Sequence, residues 1–139
     1  MEIEKLKKEN FPMANTREPY ITFHSNGRII LNKFAIQQLS LLLPGNIWGG
    51  VSFFHDVKDP SEISICGDVN GWIVRDAYNG CCVFNNKCLA EHIIDLQWQK
   101  IQRPAGDTSK KPDSYSFRIA RKPVDDTFHK NIFCLIRKK

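Results

Sequence analysis

"NGRIILNKFAIQQLSLLL" (residues 26–43) and "NGCCVFNNKCLAEHIIDL" (residues 79–96) are built on one plan. Each opens with Asn-Gly, passes through a short β-prone apolar run and meets a second Asn five residues after the Gly. Each then becomes helix-like sequence ending on Leu. At a constant offset the identical pairs are Asn26/Asn79, Gly27/Gly80, Asn32/Asn85 and Leu43/Leu96. Asn-Gly tolerates the positive φ angles of a type I′ hairpin turn, so each copy begins as a hairpin. Asn32 and Asn85 stand where a helix N-cap accepts a bond from a free backbone N–H. Ala35, Ile36, Leu39 and Leu43 form one stripe at helical spacing, which predicts a helix over 34–43 ended by Pro44-Gly45. The second copy predicts a helix over 87–101 that buries Leu89, Ile93 and Leu96, with Ile94, Trp98 and Ile101 as a neighbouring stripe.

Outward from these junctions, "YITFHS" and "WIVRDAY" supply the strand before each turn. Strands are expected over 51–55 and 62–66 after the first helix, and at "YSFRIA" and "NIFCLIR" after the second. The chain reads as β-β-α-β-β written twice, over 20–66 and 72–137, with a basic loop (102–114) inserted in the second copy. The expected fold class is α+β: antiparallel sheets, two packed helices and an internal pseudo-twofold, because neither copy alone can bury its apolar face. The competing account of the duplication is coincidence between two uses of common turn and cap chemistry. Residues 1–19, charged from the second residue and broken by Pro12 and Pro19, are expected to form a flexible tail before one domain over 20–139.

The 139 residues suit a single domain, and 42% hydrophobic with 25% charged residues is ordinary for a soluble one. No apolar run approaches the roughly 20 residues that cross a bilayer. The amino terminus lacks the apolar core of a secretory signal. A cytoplasmic protein with no membrane partner is the expectation. Cys66, Cys81, Cys82, Cys88 and Cys134 are odd in number, mostly inside apolar or strand-like runs, and are expected as buried free thiols. Cys81 and Cys82 would point to opposite faces of a strand, there is no C-x-x-C, and no metal site or cofactor is expected. His24, His55, His92 and His129 are scattered, no Ser sits in a nucleophile elbow, and no carboxylate pair brackets a pocket. Asp56, Asp59, Asp125 and Asp126 fall in turns, where Asp is favoured for local bonding. No catalytic residue, and no enzyme, is expected.

Charge carries the functional signal. Residues 1–99 hold 9 Lys/Arg against 11 Asp/Glu, whereas residues 100–139 hold 11 against 4. A basic segment on a mildly acidic body suits a polyanion partner. The strand–polar cap–helix junction in "GCCVFNNKCLAEHIIDL", within the unit 51–101, resembles the last strand and helix of the Whirly, Pur-alpha and positive-cofactor-four superfamily. "RIILNKFAIQQLSLLL" resembles the same junction, with its remaining strands supplied by 115–137, a permutation of that family's order. "GRIILNKFAIQQLSLLLPGNIWGGVSFFHD" is similar instead to the hairpin–helix–strand run of AbrB-type swapped-hairpin DNA-binding proteins, with Asn46-Ile47-Trp48 intruding after Pro44-Gly45. Both resemblances imply a small non-catalytic DNA-binding regulator of transcription. The first implies a preference for single strands.

The residues expected to touch nucleic acid are Arg103, Lys110 and Lys111 in the loop, and Arg118, Arg121 and Lys122 on the strand after it. Tyr20 and Trp72, at matching starts of the two hairpins, are the candidate stacking aromatics. Core packing is the competing role for Trp72. The expected partner is single- or double-stranded DNA, with RNA as a further option, and hairpins near both ends make a homodimer expected. The alternative is a protein-interaction or structural module with no nucleic-acid partner.

Overall fold

Alternating burial along Tyr20–His24 and Arg28–Leu31, and within residues 116–120 and 133–135, sets one wall of the architecture. In a computed structural model, which describes residues 2–7, 17–101, 105–106, 108–124 and 131–137, the chain forms eleven strands and two α-helices. Their order is β1 (Tyr20–His24), β2 (Arg28–Leu31), α1 (Lys33–Leu39), β3 (Leu42–Leu43), β4 (Ile47–Trp48), β5 (Gly50–His55) and β6 (Ile63–Gly67). The second half follows as β7 (Trp72–Ile73), β8 (Arg75–Asp76), β9 (Cys82–Asn85), α2 (Lys87–Lys100), β10 (Ser114–Pro123) and β11 (Phe133–Arg137). The fold is α+β, as expected. Every strand pair is antiparallel.

The main sheet has the order β7-β5-β6-β11-β10-β1-β2-β9-β8. Its two end strands are separated in sequence by Val74 alone, so one extended segment, Trp72–Asp76, pairs with β5 on one side and β9 on the other. The sheet therefore closes on itself as a barrel. Registers place apolar residues opposite one another on the inner wall: Ile21 faces Leu31 and Phe117, Ile29 faces Phe84, and Ile119 faces Leu135. All seven are buried, and full burial of a side chain of this size contributes about 1.5–3 kcal/mol. Phe23 touches Phe117 at 5.6 Å between ring centroids and Phe53 at 5.8 Å, and Phe53 in turn meets Trp72 at 5.8 Å. β1 and β5 are not neighbours in the sheet, so this aromatic chain crosses the interior.

The helices cover opposite ends. α1 lies where β6 finishes, its Leu39 carbonyl close against Gly67, and its Gln38 donates to the Ala120 carbonyl of β10 at 2.7 Å. α2 lies where β6 begins, its buried Gln97 donating to the Ser61 carbonyl at 2.8 Å. Gly71 shows how tightly the closing segment fits. A Cβ there would be driven into the Val51 carbonyl oxygen, although the backbone φ is not in the positive range.

Four local expectations are corrected. Asn32 caps α1, accepting from Ala35 N at 3.0 Å, but α2 is capped by Asn86, accepting from Leu89 N at 2.9 Å. Asn85 remains in β9, paired with Arg28. The first helix stops at Leu39 rather than at residue 43, because Ser40 adopts the left-handed conformation and Leu41 N bonds back to Ile36 O at 3.0 Å. Pro44-Gly45 instead turns the small β3–β4 hairpin. Only the second Asn-Gly forms the expected left-handed turn, with φ of 56° at Asn79 and 76° at Gly80. In the first, Gly27 alone is positive, at 99°, and the loop has three residues. Of the cysteines, all free, Cys66 and Cys82 are buried and burial pushes the Cys82 thiol up to about 12, whereas Cys88 is exposed.

Residues 18 and 19, assigned to the tail by sequence, are bonded into the fold: Asn32 Nδ2 donates to Glu18 O at 2.8 Å and Ile119 N to Pro19 O at 2.9 Å. His129, Asp125 and Asp126 lie outside the described residues, as does much of residues 1–19. No helix among the described residues is long and apolar enough to cross a membrane.

Candidate nucleic-acid interface

Tyr20 and Arg118 are direct partners across β1 and β10. Directly opposed residues of an antiparallel pair project to the same face. Their neighbours Ile21 and Phe117 point inward, so Tyr20 and Arg118 stand on the outer wall. The same face continues through Thr22 and Ser116, whose hydroxyls meet at 2.9 Å. At the other end of the patch the pairing of β10 with β11 becomes irregular between Ile119 and Pro123, and Arg121 and Lys122 emerge exposed.

Glu18 organises this patch. Period-two alternation from Tyr20 carries residue 18 to the same face, and Arg121 Nη2 donates to its Oε1 at 2.7 Å. Arg118 Nη1 lies 4.0 Å from the other oxygen, Oε2, which is buried and makes no hydrogen bond. The Glu18 side chain is only 18% exposed against 66% for Arg121. One carboxylate thus sits beside two guanidinium groups, and the patch keeps net positive charge. Lys122 forms no ion pair among the described residues. Sequence reasoning missed Glu18 because the tail was cut at Pro19. The alternation of β1, extended by two residues, is the signal that would have found it.

The other expected residues lie elsewhere. Lys111 donates to Asp95 of α2 at 2.5 Å, a contact that raises its pKa, and so belongs to the α2 end of the barrel. Lys110 is exposed beside it. Arg103 lies outside the described residues. Trp72 is four strands from β10 in either direction around the barrel. Its ring stacks on Phe84 at 6.0 Å and 18°, leaving the residue 38% exposed. It closes the barrel and is not part of the Tyr20 patch. The structure thus brings together Tyr20, Arg118 and Arg121, with Lys122 exposed next in the chain, and separates them from Lys111 and Trp72.

A second charged group holds the far end of α2. Lys100 Nζ donates to Asp59 at 2.8 Å and to Glu62 at 2.9 Å. The Lys100 bond, with a smaller contribution from the Ser61 hydroxyl, lowers the Asp59 carboxyl to about 2. Among the described residues no three His, Cys, Asp or Glu side chains group as metal ligands.

Comparison of the chain with protein-family models, with curated proteins and with solved structures finds no match.

Proposed function

We infer that the protein is a small non-catalytic nucleic-acid-binding regulator that prefers single strands. The observation carrying this inference is the juxtaposition of Tyr20 with Arg118 on one outer wall, with Arg121 joined to Arg118 through Glu18 and Lys122 exposed next to it in the chain. An aromatic ring offers a base a stacking surface, and adjacent cations neutralise the phosphates on either side of it. Such binding is non-catalytic, depends steeply on salt and reads sequence weakly. It belongs with a cytoplasmic setting, where thiols stay reduced.

The strand order lends support to the repeat and to the swapped-hairpin resemblance. Exchanging β1 with β7/β8, β2 with β9, β5 with β10 and β6 with β11 leaves the main-sheet neighbour relations unchanged. Each hairpin also pairs with strands of the other copy. A pseudo-twofold relating residues 20–66 to 72–137 accounts for both features. A homodimer would form through surfaces other than main-sheet ends, since closure leaves no end strand to pair.

The interaction-module alternative has its own support in apolar side chains around β3–β4 and β8, where Ile47 is 61% and Tyr78 81% exposed. Labelled single- and double-stranded oligonucleotides, titrated at two salt concentrations, separate the two. Nucleic-acid binding predicts salt-sensitive association that falls when Arg118, Arg121 and Lys122 become Ala in a folded protein. Absence of binding by the wild type at low salt transfers the case to the interaction module, and undiminished binding by the triple variant displaces the site.

A further inference from the structure

β6 and β11 pair only at Phe133/Ile65 and Cys134/Ser64. Beyond Cys134, β11 stays with β10 as far as Arg137, while β6 stays with β5 back to Ile63. The two strands therefore part, and the wall of the barrel opens as a wedge. This wedge is a cleft of about 530 Å³. Ser61 and Glu62 form one side, Leu135 to Arg137 the other, and Phe117 with Gln97 of α2 the floor.

The lining has a definite chemistry. Phe117, Leu135 and Ile136 are apolar. Gln97 is held in place by its bond to Ser61 O. Arg137 pairs in register with Phe117, an inward-facing residue, and its side chain lines the cleft. No carboxylate among the described residues pairs with it. The nearest acidic wall residue, Glu62, is already bonded to Lys100. A half-buried guanidinium that no carboxylate among the described residues engages, above an apolar floor, is matched by a planar carboxylate carried on an apolar body. The volume suits a small molecule. A polyanion is disfavoured, because the Glu62 carboxylate stands on the opposite side of the cleft.

We propose that the β6–β11 cleft is a binding site for a small amphipathic monocarboxylate, with Arg137 holding the carboxylate and Phe117 and Leu135, on the same face of the wall, the apolar body. The site is independent of the Tyr20 patch, and its test does not involve nucleic acid.

Octanoate is the probe and octanol its uncharged counterpart, each titrated into the full chain while amide and Arg side-chain NMR signals are followed. The expected result is saturable shifts confined to Ser61, Glu62, Gln97 and 135–137. Arg137→Gln weakens octanoate binding about tenfold or more, as loss of a charge-assisted pair requires. Arg137→Lys, which keeps the charge and loses the planar fork, falls between. Octanol binds the wild type no better than octanoate binds the Gln variant, and Lys122→Ala leaves octanoate binding unchanged. Because Arg137 has no ion pair among the described residues, unaltered thermal melts are expected for both Arg137 variants. Shifts absent from the cleft at saturating octanoate, or equal affinities for wild type and Arg137→Gln, overturn the proposal.

Discussion

Asn32 holds Glu18 through its side chain: Nδ2 donates to the Glu18 main-chain oxygen at 2.8 Å, while Oδ1 accepts from Ala35 N and from Tyr20 N at 3.1 Å. One carboxamide thus caps α1 and fastens the segment entering β1. The Asn86 side chain makes only the cap bond among the described residues. Asn86→Ala is therefore expected to cost about 0.5–2 kcal/mol and Asn32→Ala more than that, since further buried groups lose partners. Asn85→Ala removes no cap. Denaturant melts that rank the three differently would contradict these assignments.

The Glu18 carboxylate occupies a place between Arg118 and Arg121 that, on the proposed function, a nucleic-acid phosphate would take. Glu18→Gln removes the competing charge while preserving size. Oligonucleotide affinity at low salt is expected to rise about three- to tenfold, with a steeper salt dependence. Unchanged or weakened binding in a wild type that does bind would place the interface away from Glu18.

Ser40 pays for ending α1 by holding a side chain at φ 53°. Gly at this exposed position removes the steric cost of the left-handed conformation, partly offset by greater unfolded-state freedom. Ser40→Gly is expected to stabilise the fold by about 0.5–1 kcal/mol. A lower melting temperature would mean that the Ser side chain makes a compensating contact.

Gly71 admits the closing segment against the Val51 carbonyl. Gly71→Ala forces main chain against main chain, and a destabilisation of about 1–3 kcal/mol is expected. Loss of the Trp72 environment, followed by its fluorescence, should accompany it. An Ala variant as stable as wild type would show that β7 can move away from β5.

The Asp59 carboxyl is depressed to about 2 from an ordinary 3.8 by Lys100 and Ser61. A depressed acid contributes stability that is fully present above the unfolded value and is lost as pH falls through the folded one. Stability should therefore decline between about pH 4 and 2. Both groups are exposed, so solvent screening keeps the effect small. Asp59→Asn is expected to flatten that part of the pH–stability profile, and an identical acid limb in the variant would remove the pair from the acid response.

Much of the fold was legible because its signals are local. Alternation marked Ile21 and Phe23, or Phe117 and Ile119, as one buried face. Helical spacing located α2 to within a residue of its end, and Asn32 announced its cap through its own side-chain chemistry. The candidate site was legible only where it shared a strand with those signals, at Tyr20 and Arg118 through Lys122. The sequence by itself determined the class of fold, the positions of most strands and the concentration of positive charge near the carboxy terminus. Tertiary structure alone decided that Trp72–Asp76 closes the sheet, that Trp72 stacks on Phe84 four strands from Arg118, and that β11 leaves β6 to open the Arg137 cleft. Each of those depends on pairings between residues far apart in the chain. Strand periodicity specifies which face a side chain takes, but it does not specify which strand lies beside it.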